Sequence, residues 1–111
     1  MKKYFIPSAD RQGSCYYEFF AGTWTKIQFW HKDSICISDN DFYLTGLEDV
    51  IADVIPNYAP FAETEVTQQD WDAIMEKAIA KGGELLVAAQ EADEWAKQNF
   101  AHHKVFTILG L

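Results

Sequence analysis

The chain has 111 residues, of which 49% are hydrophobic and 15% aromatic, and it carries a formal net charge of −8 with a pI near 4.6. This composition excludes a disordered tail and suits a single folded domain over residues 1–111. Nucleic acid and anionic membranes repel such a charge, so neither is an expected partner, whereas basic proteins are attracted. Neither a secretory leader nor an apolar run of about 18 residues is apparent, so we expect a cytoplasmic protein.

The first half of the chain predicts β-structure, because short apolar or aromatic runs separated by polar turns are typical of strands. Strands are predicted over Lys2–Ile6, Cys15–Phe20, Trp24–His31 and Ile35–Ile37. In the third of these, alternation places Trp30 on the same face as Lys26 and Gln28, which sets it apart from tryptophans of the core.

The second half predicts three helices and two further strands. Apolar residues recur at helical spacing, and the predicted helices cover Leu47–Ile55, Thr67–Lys81 and about Glu84–Phe100. The first of them is expected to begin with a capping box formed by Thr45 and Glu48. Strands are predicted over Phe61–Val66 and Val105–Leu109, and the last is expected to be central because both its faces are apolar.

This order of elements predicts the fold class. Strands, a helix, a strand, two helices and a final strand are typical of an α+β domain. We expect a mostly antiparallel sheet of about five strands, with the three helices packed on one face.

Negative charge is concentrated in the middle third of the chain. Residues 39–76, here called the acidic block, contain ten acidic residues and no basic ones, whereas the residues before carry a net +2 and those after a net zero. An ordinary solvated surface is the simplest interpretation, but such surfaces mix both signs. Asp49 and Asp53 also stand four residues apart on a predicted helix, where like charges repel. We therefore predict that the acidic block forms a binding surface.

No pattern in the sequence predicts a metal or a cofactor. Asp39 and Asp41 resemble the start of a calcium-binding loop, but Val50 occupies the position of the bidentate glutamate. The histidines and cysteines lack the spacing of metal ligands, and no glycine-rich phosphate loop is present. We therefore predict no metal site and no cofactor.

Catalysis has few candidate residues. Cys36 lies between two isoleucines and is expected to be an inert core residue. Glu63 and Glu65 project from the same side of a predicted strand, where such a pair is more often solvated than catalytic. A small enzyme that uses Glu63, Glu65 or His31 is therefore the least favoured interpretation.

Two stretches, together with the small size, the low pI and the mixed α/β layout, resemble bacterial immunity proteins. They are residues 61–71 (FAETEVTQQDW) and residues 105–111 (VFTILGL). The proteins concerned are encoded beside contact-dependent growth inhibition toxins and related polymorphic toxins. The resemblance implies a non-enzymatic protein that binds a cognate toxin domain, often a basic nuclease, and inactivates it.

We expect the protein to inhibit a basic toxin domain by covering the active site of that domain with an acidic surface. The expected toxin is a nuclease. Acidic side chains speed the encounter and aromatic ones anchor the interface. The predicted partner-binding residues are Asp39, Asp41, Tyr43, Asp49, Asp53, Tyr58, Phe61, Glu63 and Glu65. The alternative is another acidic binding module, such as an adaptor or a DNA mimic that inhibits a DNA-binding protein.

Overall fold

The strands of the protein form one antiparallel sheet. In the computed structural model, which describes residues 3–26 and 29–110, they are β1 (Phe5–Pro7), β2 (Tyr16–Ala21), β3 (Ile35–Ser38), β4 (Glu63–Thr67) and β5 (Val105–Leu109). Their order across the sheet is β1-β3-β2-β5-β4, and each neighbouring pair is antiparallel. β5 therefore lies inside the sheet, as its apolar sequence predicts.

The α-helices of the described residues are α1 (Asp39–Leu44), α2 (Leu47–Val54), α3 (Gln68–Lys81) and α4 (Gly83–His102). They send apolar side chains into one core, among them Phe42 from α1, Ile51 from α2 and Trp71 from α3. The predicted α+β class, with an antiparallel sheet of five strands, is confirmed. In the part of the chain that the structure describes, no helix combines the length and the apolarity needed to cross a membrane.

The sheet has two differently covered faces, because successive residues of a strand point in opposite directions. The helix face packs against the helices and carries the buried residues Phe5, Tyr17, Phe19, Ile37, Phe106 and Ile108. The second face carries Glu18, Phe20, Cys36, Thr107 and Leu109, which are buried as well. The two faces therefore need two separate covers.

The strand predicted over Trp24–His31 is wrong for its described residues, which belong to the connection between β2 and β3. We call this connection the loop of residues 22–34, and the structure describes its residues 22–26 and 29–34. Ile27 and Gln28, two residues of that predicted strand, lie outside the described residues. Lys26 and Trp30 have φ angles of 67° and 60°. Such angles belong to the left-handed region, which a regular strand does not use. The imperfect alternation of this segment therefore indicated a strand where the chain turns repeatedly.

The described parts of the loop of residues 22–34 lie on the second face and are held there by polar contacts. The backbone N–H groups of Trp30 and His31 donate to the two carboxylate oxygens of Glu18, at 2.7 and 2.9 Å. The backbone N–H of Trp24 donates to Oγ1 of Thr107 at 3.3 Å. In a strand, such backbone N–H groups would donate to the backbone of a neighbouring strand. Here they donate to side chains of the sheet.

The capping box predicted at Thr45 and Glu48 is wrong. Ser38 caps an earlier helix, α1, by accepting a hydrogen bond from the backbone N–H of Asp41 at 3.1 Å, and Thr45 ends that helix. Gly46 then turns the chain with a φ angle of 87° and is the N-cap of α2, and the backbone N–H of Leu47 donates to Oγ1 of Thr45 at 3.4 Å. In the predicted capping box, the Glu48 carboxylate would accept the backbone N–H of Thr45. In the structure it accepts hydrogen bonds from the phenols of Tyr17 and Tyr58.

The other element boundaries lie close to the predicted ones. The capping box at Thr67 and Asp70 is present at the start of α3, with both of its hydrogen bonds. β1 is shorter than predicted, because the backbone N–H groups of Tyr4 and Phe5 donate to the Glu91 carboxylate of α4. The part of that predicted strand at residue 2 lies outside the described residues.

Candidate functional site

The acidic block is distributed over both sides of the sheet. α1 and α2 pack on the helix face, and on that side they carry Asp39, Asp41, Tyr43, Asp49 and Asp53. In β4, Glu63 and Glu65 alternate with buried residues, one of which, Val66, belongs to the core under the helices. Glu63 and Glu65 therefore project from the second face. The structure thus places the predicted partner-binding residues in two groups and not on one continuous surface.

A depression at the corner between α1 and α2 brings an aromatic, an aliphatic and an acidic side chain together. Tyr43, Leu44 and Asp49 line it, and its volume is about 500 Å³. Tyr43 is 63% exposed and Leu44 is 68% exposed, so the two form a small apolar patch. Asp39 stands one helical turn from Tyr43 on the same face of α1. We call Asp39, Asp41, Tyr43, Leu44 and Asp49 the acidic corner.

The turn between α3 and α4 forms the opposite wall of this depression, with Lys81 and Glu84 at its rim. Nζ of Lys3 lies 2.5 Å from Oε1 of Glu84, and this hydrogen-bonded pair holds the pKa of the Glu84 carboxyl below its ordinary value. Asp49 forms no ion pair with any residue in the described ranges 3–26 and 29–110. Of the two carboxylates at the depression, that of Glu84 is paired with Lys3, so that of Asp49 is the one available to a cation of another protein.

Two of the predicted binding residues on the helix side already have side-chain partners within the chain. Oδ2 of Asp53 lies 3.0 Å from Nζ of Lys77, which links α2 to α3 through two exposed side chains. The phenol of Tyr58 donates to Oε2 of Glu48 at 2.7 Å, and the phenol of Tyr17 donates to the same oxygen at 3.3 Å. Burial, reinforced by the bond to Glu48, raises the pKa of Tyr58. Tyr58 therefore has a structural role, whether or not it also touches a partner.

The second group of predicted binding residues lies at the β4 edge of the sheet. Phe61 is 81% exposed, which is the largest exposure of any large apolar side chain described. Oε1 of Glu63 lies 3.6 Å from Nζ of Lys26, so its charge is partly offset, and Glu65 is exposed on the same face. Phe61 and Glu63 also line a cavity of about 330 Å³ beside the loop of residues 22–34.

Sequence reasoning missed most of the residues that line this cavity. Glu18, Trp24 and Phe29 line it together with Trp30, the tryptophan that the sequence pattern sets apart. A strand over this segment places Trp24 and Trp30 on one face and Phe29 on the other, so the pattern carries no signal that all three line one cavity. Leu44 of the acidic corner was missed for a similar reason, because α1 was not recognised as a helix.

The groups most capable of chemistry do not meet in one place. Among residues 3–26 and 29–110, no group of three or more His, Cys, Asp or Glu side chains could hold a metal ion. Cys15 is exposed, whereas Cys36 is buried with its Sγ 3.3 Å from Oγ of Ser8. Burial raises the pKa of the Cys36 thiol to about 11. Little thiolate is therefore present on Cys36 at neutral pH, and the thiol is a poor nucleophile.

Comparisons of the chain with models of protein families, with curated proteins and with solved structures find no match.

Proposed function

We propose that this chain is an immunity protein that acts in the cytoplasm by binding and neutralising a basic toxin domain. The expected toxin is a nuclease. The proposal depends on the acidic corner, where Tyr43 and Leu44 are 63% and 68% exposed beside the carboxylate of Asp49. Binding energy at protein interfaces is concentrated in a few aromatic and apolar anchors that charged residues surround. The acidic corner has that composition on a small scale.

Charge supports a cationic partner of this kind. A nuclease must hold phosphates, so its active-site cleft is positive, and a protein with a net charge of −8 is steered toward it. Electrostatic steering can raise association rates to about 10⁸–10⁹ M⁻¹s⁻¹ at low salt. Carboxylates of Asp39, Asp41 and Asp49 placed in that cleft would exclude the phosphates of the substrate, which requires no catalysis by the inhibitor.

The acidic corner is a better candidate for this interface than the β4 edge. Glu63 at the β4 edge is already paired with Lys26 at 3.6 Å. Asp49 at the corner has no such partner among the residues described, and only Lys81 brings a basic group to the rim of its depression. A partner's lysine or arginine would therefore meet a less compensated carboxylate at the corner.

The decisive experiment uses the protein encoded next to the gene for this chain, which the proposal expects to contain a basic toxin domain. The two proteins are produced together and separately, and we expect a stable complex, a loss of toxin activity and protection of cells that make the toxin. The affinity is measured by calorimetry and the association rate by stopped-flow fluorescence at two salt concentrations. Higher salt should slow association, because it screens the steering charges.

Two double charge reversals separate the two groups of acids, since each changes the net charge by the same amount. Asp39→Lys with Asp49→Lys should raise the Kd on the order of 100-fold, because it reverses two charges of the acidic corner, the proposed interface. Glu63→Lys with Glu65→Lys should raise it by less than about tenfold, since only long-range steering is affected. Circular dichroism checks that both variants remain folded.

A second pair of variants tests the apolar anchors. Tyr43→Ala with Leu44→Ala should raise the Kd on the order of 30-fold or more, the loss typical of removing interface hot spots. Ile79→Ala is the matched control, because Ile79 is 63% exposed on α3 outside the corner. Equal losses from both double charge reversals, or no binding to the toxin domain, would refute the proposal. Capture of a DNA-binding protein through the same carboxylates would instead support a DNA mimic.

A further inference from the structure

The cavity on the second face has the form of a small ligand site. Its volume of about 330 Å³ falls at the lower end of the range for small-molecule sites, which is about 300–1,000 Å³. Its aromatic walls are formed by Tyr16, Trp24, Phe29, Trp30 and Phe61. The rings of Trp24 and Phe29 are packed with their centroids 4.9 Å apart, so one wall is already assembled.

A buried carboxylate lies in the same cavity. Glu18 is 1% exposed and lines the wall, next to Leu109 in the register of β2 and β5. Its oxygens accept the backbone N–H groups of Trp30 and His31, which use two of the roughly four acceptor positions of a carboxylate. No basic side chain of the described residues forms an ion pair with Glu18.

The charges around the cavity leave Glu18 as the group that a ligand would meet. Glu63 also lines the cavity, but Lys26 partly offsets it. The guanidinium of Arg11 lies 4.3 Å from the centroid of the Trp30 ring and forms a cation–π contact there. A ring of this wall therefore already stabilises one cation within the protein.

The backbone beside the cavity is held in a sparsely populated conformation. Lys26 and Trp30 have φ angles of 67° and 60°, and they are the residues other than glycine with positive φ among those described. Strain of this kind persists only where surrounding contacts impose it, and it clusters at ligand sites. The backbone N–H of Trp30 donates to the Glu18 carboxylate at 2.7 Å, and this hydrogen bond helps to hold the Trp30 ring in the wall of the cavity.

We infer that this cavity binds a small organic ammonium ion, that is, a protonated amine on an apolar body. The ammonium donates to the Glu18 carboxylate, which accepts N–H donors in the position where it is buried. The apolar body lies against the rings of Trp24, Phe29 and Phe61, which attract the cation as well as covering the body. The site is on the opposite side of the sheet from the acidic corner, and it does not depend on the proposed function.

Three probes of similar size and different charge test the inference on the whole chain. They are benzylammonium, benzyl alcohol and benzoate, titrated into the protein at pH 7 and followed by ¹H–¹⁵N chemical shifts. Benzylammonium should bind roughly tenfold more tightly than benzyl alcohol, and benzoate should bind the weakest, because only the ammonium pairs with Glu18. The shifts should saturate and should centre on Trp24, Trp30 and His31.

Variants separate the charge of the site from its apolar walls. Glu18→Gln keeps the side-chain size and removes the charge, so the preference for benzylammonium over benzyl alcohol should fall to less than about twofold. Phe61→Ala should weaken both ligands several-fold and leave the preference unchanged, because it removes only a wall. Phe61 is 81% exposed, so this variant is expected to fold even if Glu18→Gln does not. Ile79→Ala is the control and should change neither affinity.

The inference is overturned if benzyl alcohol binds as tightly as benzylammonium to the unaltered chain, since the cavity is then only an apolar site. It is also overturned if the shifts caused by benzylammonium do not saturate, or if they centre on the acidic corner. Because this comparison uses the unaltered chain, it decides the question whatever the stability of the Glu18→Gln variant.

Discussion

The helix face and the second face of the sheet are both buried, but they are covered by different means. On the helix face, the centroid of the Phe106 ring lies 5.2 Å from the ring centroids of Phe19 and Trp95 and 5.6 Å from that of Trp71. These rings come from strands and helices, so regular elements bring them together. On the second face, a loop is attached through four hydrogen bonds to the side chains of Glu18 and Thr107. We infer that apolar packing maintains the first face and a few polar contacts the second.

A carboxylate on each side shows the same contrast. Glu48, on the helix side, accepts the phenols of Tyr17 and Tyr58, which are side chains brought there by the fold. Glu18, on the second face, accepts two backbone N–H groups, so it determines the path of the chain itself. Loss of Glu48 should therefore cost stability, whereas loss of Glu18 should also change the conformation of the loop.

Phe106→Ala tests the helix face and should have the largest effect. The Phe106 side chain is fully buried and contacts rings from β2, α3 and α4. Truncation should lower the free energy of unfolding by about 3–5 kcal/mol, which combines the lost burial with the cavity left behind. The measurement is urea unfolding followed by far-UV circular dichroism.

The milder variant Phe106→Leu should lose less stability, since it leaves a smaller cavity. It is needed because a total stability of about 5–15 kcal/mol leaves the alanine variant near the point of unfolding. If neither variant were destabilised by more than about 1 kcal/mol, the helix face would not be the principal core.

Glu18→Ala tests the second face and should have the next largest effect. The variant leaves the buried N–H groups of Trp30 and His31 without acceptors, and we expect a loss of about 2–3 kcal/mol. Amide hydrogen exchange should accelerate at Trp30 and His31 before it does so in α4, because the loop can open while the helix face stays packed. Glu65→Ala, at an exposed position of β4, is the control.

Equal acceleration of exchange throughout the molecule would contradict the contrast between the two faces. It would mean that the loop and the sheet open in one cooperative step, and that the second face contributes to the global stability as the helix face does.

The helix face was largely predictable from the sequence. The stripe of α3, with Trp71 and Ile74, follows the helical period, and the capping box at Thr67 fixes where that helix begins. The apolar run of β5 correctly indicated an interior strand. These signals are local and repeated, so one misread residue does not alter the prediction.

The cover of the second face could not be predicted, because its conformation depends on distant residues. Trp30 and His31 are held by Glu18, which stands twelve and thirteen positions earlier in the chain. Alternation alone made residues 24–31 resemble a strand, whereas the positive φ angles of Lys26 and Trp30 have no signature in their side chains. A sequence pattern of period two cannot distinguish a strand from such a loop.

The candidate binding surface was predictable only in part. The concentration of acid in residues 39–76 is visible in the sequence, but the division between helix side and second face depends on the side from which each strand residue projects. The wrong capping box at Thr45 hid the helix α1, and with it the pairing of Tyr43 and Leu44. Charge could therefore be located along the chain but not in space.

Tyr58→Phe sharpens the comparison of the two carboxylates and should have a moderate effect. It removes one donor to Glu48 and should cost about 1–2 kcal/mol at pH 7. The pKa of Tyr58 is raised by burial above its ordinary value of 10.0, so the folded state binds this proton more tightly than the unfolded state. The stability due to Tyr58 is thus complete below pH 10 and declines as the pH rises above it.

Urea unfolding at pH 7 and at about pH 10.5 measures this effect. The stability difference between the unaltered chain and Tyr58→Phe should shrink at the higher pH, and Tyr17 is present in both proteins. Tyr43→Phe, which changes an exposed ring, is the control and should alter stability by less than about 0.5 kcal/mol. A difference that stays constant between the two pH values would show that the phenol of Tyr58 is not buried against Glu48.

The two cysteines offer a test of how closed the second face is, which is measured by reaction rates and not by stability. Cys36 stands opposite Glu18 in the register of β2 and β3, and burial raises its pKa to about 11, whereas Cys15 is exposed. At pH 8 a disulfide reagent should modify Cys15 at least about 100-fold faster than Cys36, because both thiolate content and access are lower at Cys36. Cys15→Ser should remove the fast phase. Glu18→Ala should accelerate the slow one, because it removes the side chain opposite Cys36 and the acceptor of two backbone N–H groups of the loop. If Cys36 reacts as slowly in Glu18→Ala as in the unaltered chain, Glu18 does not hold the cover of the second face in place.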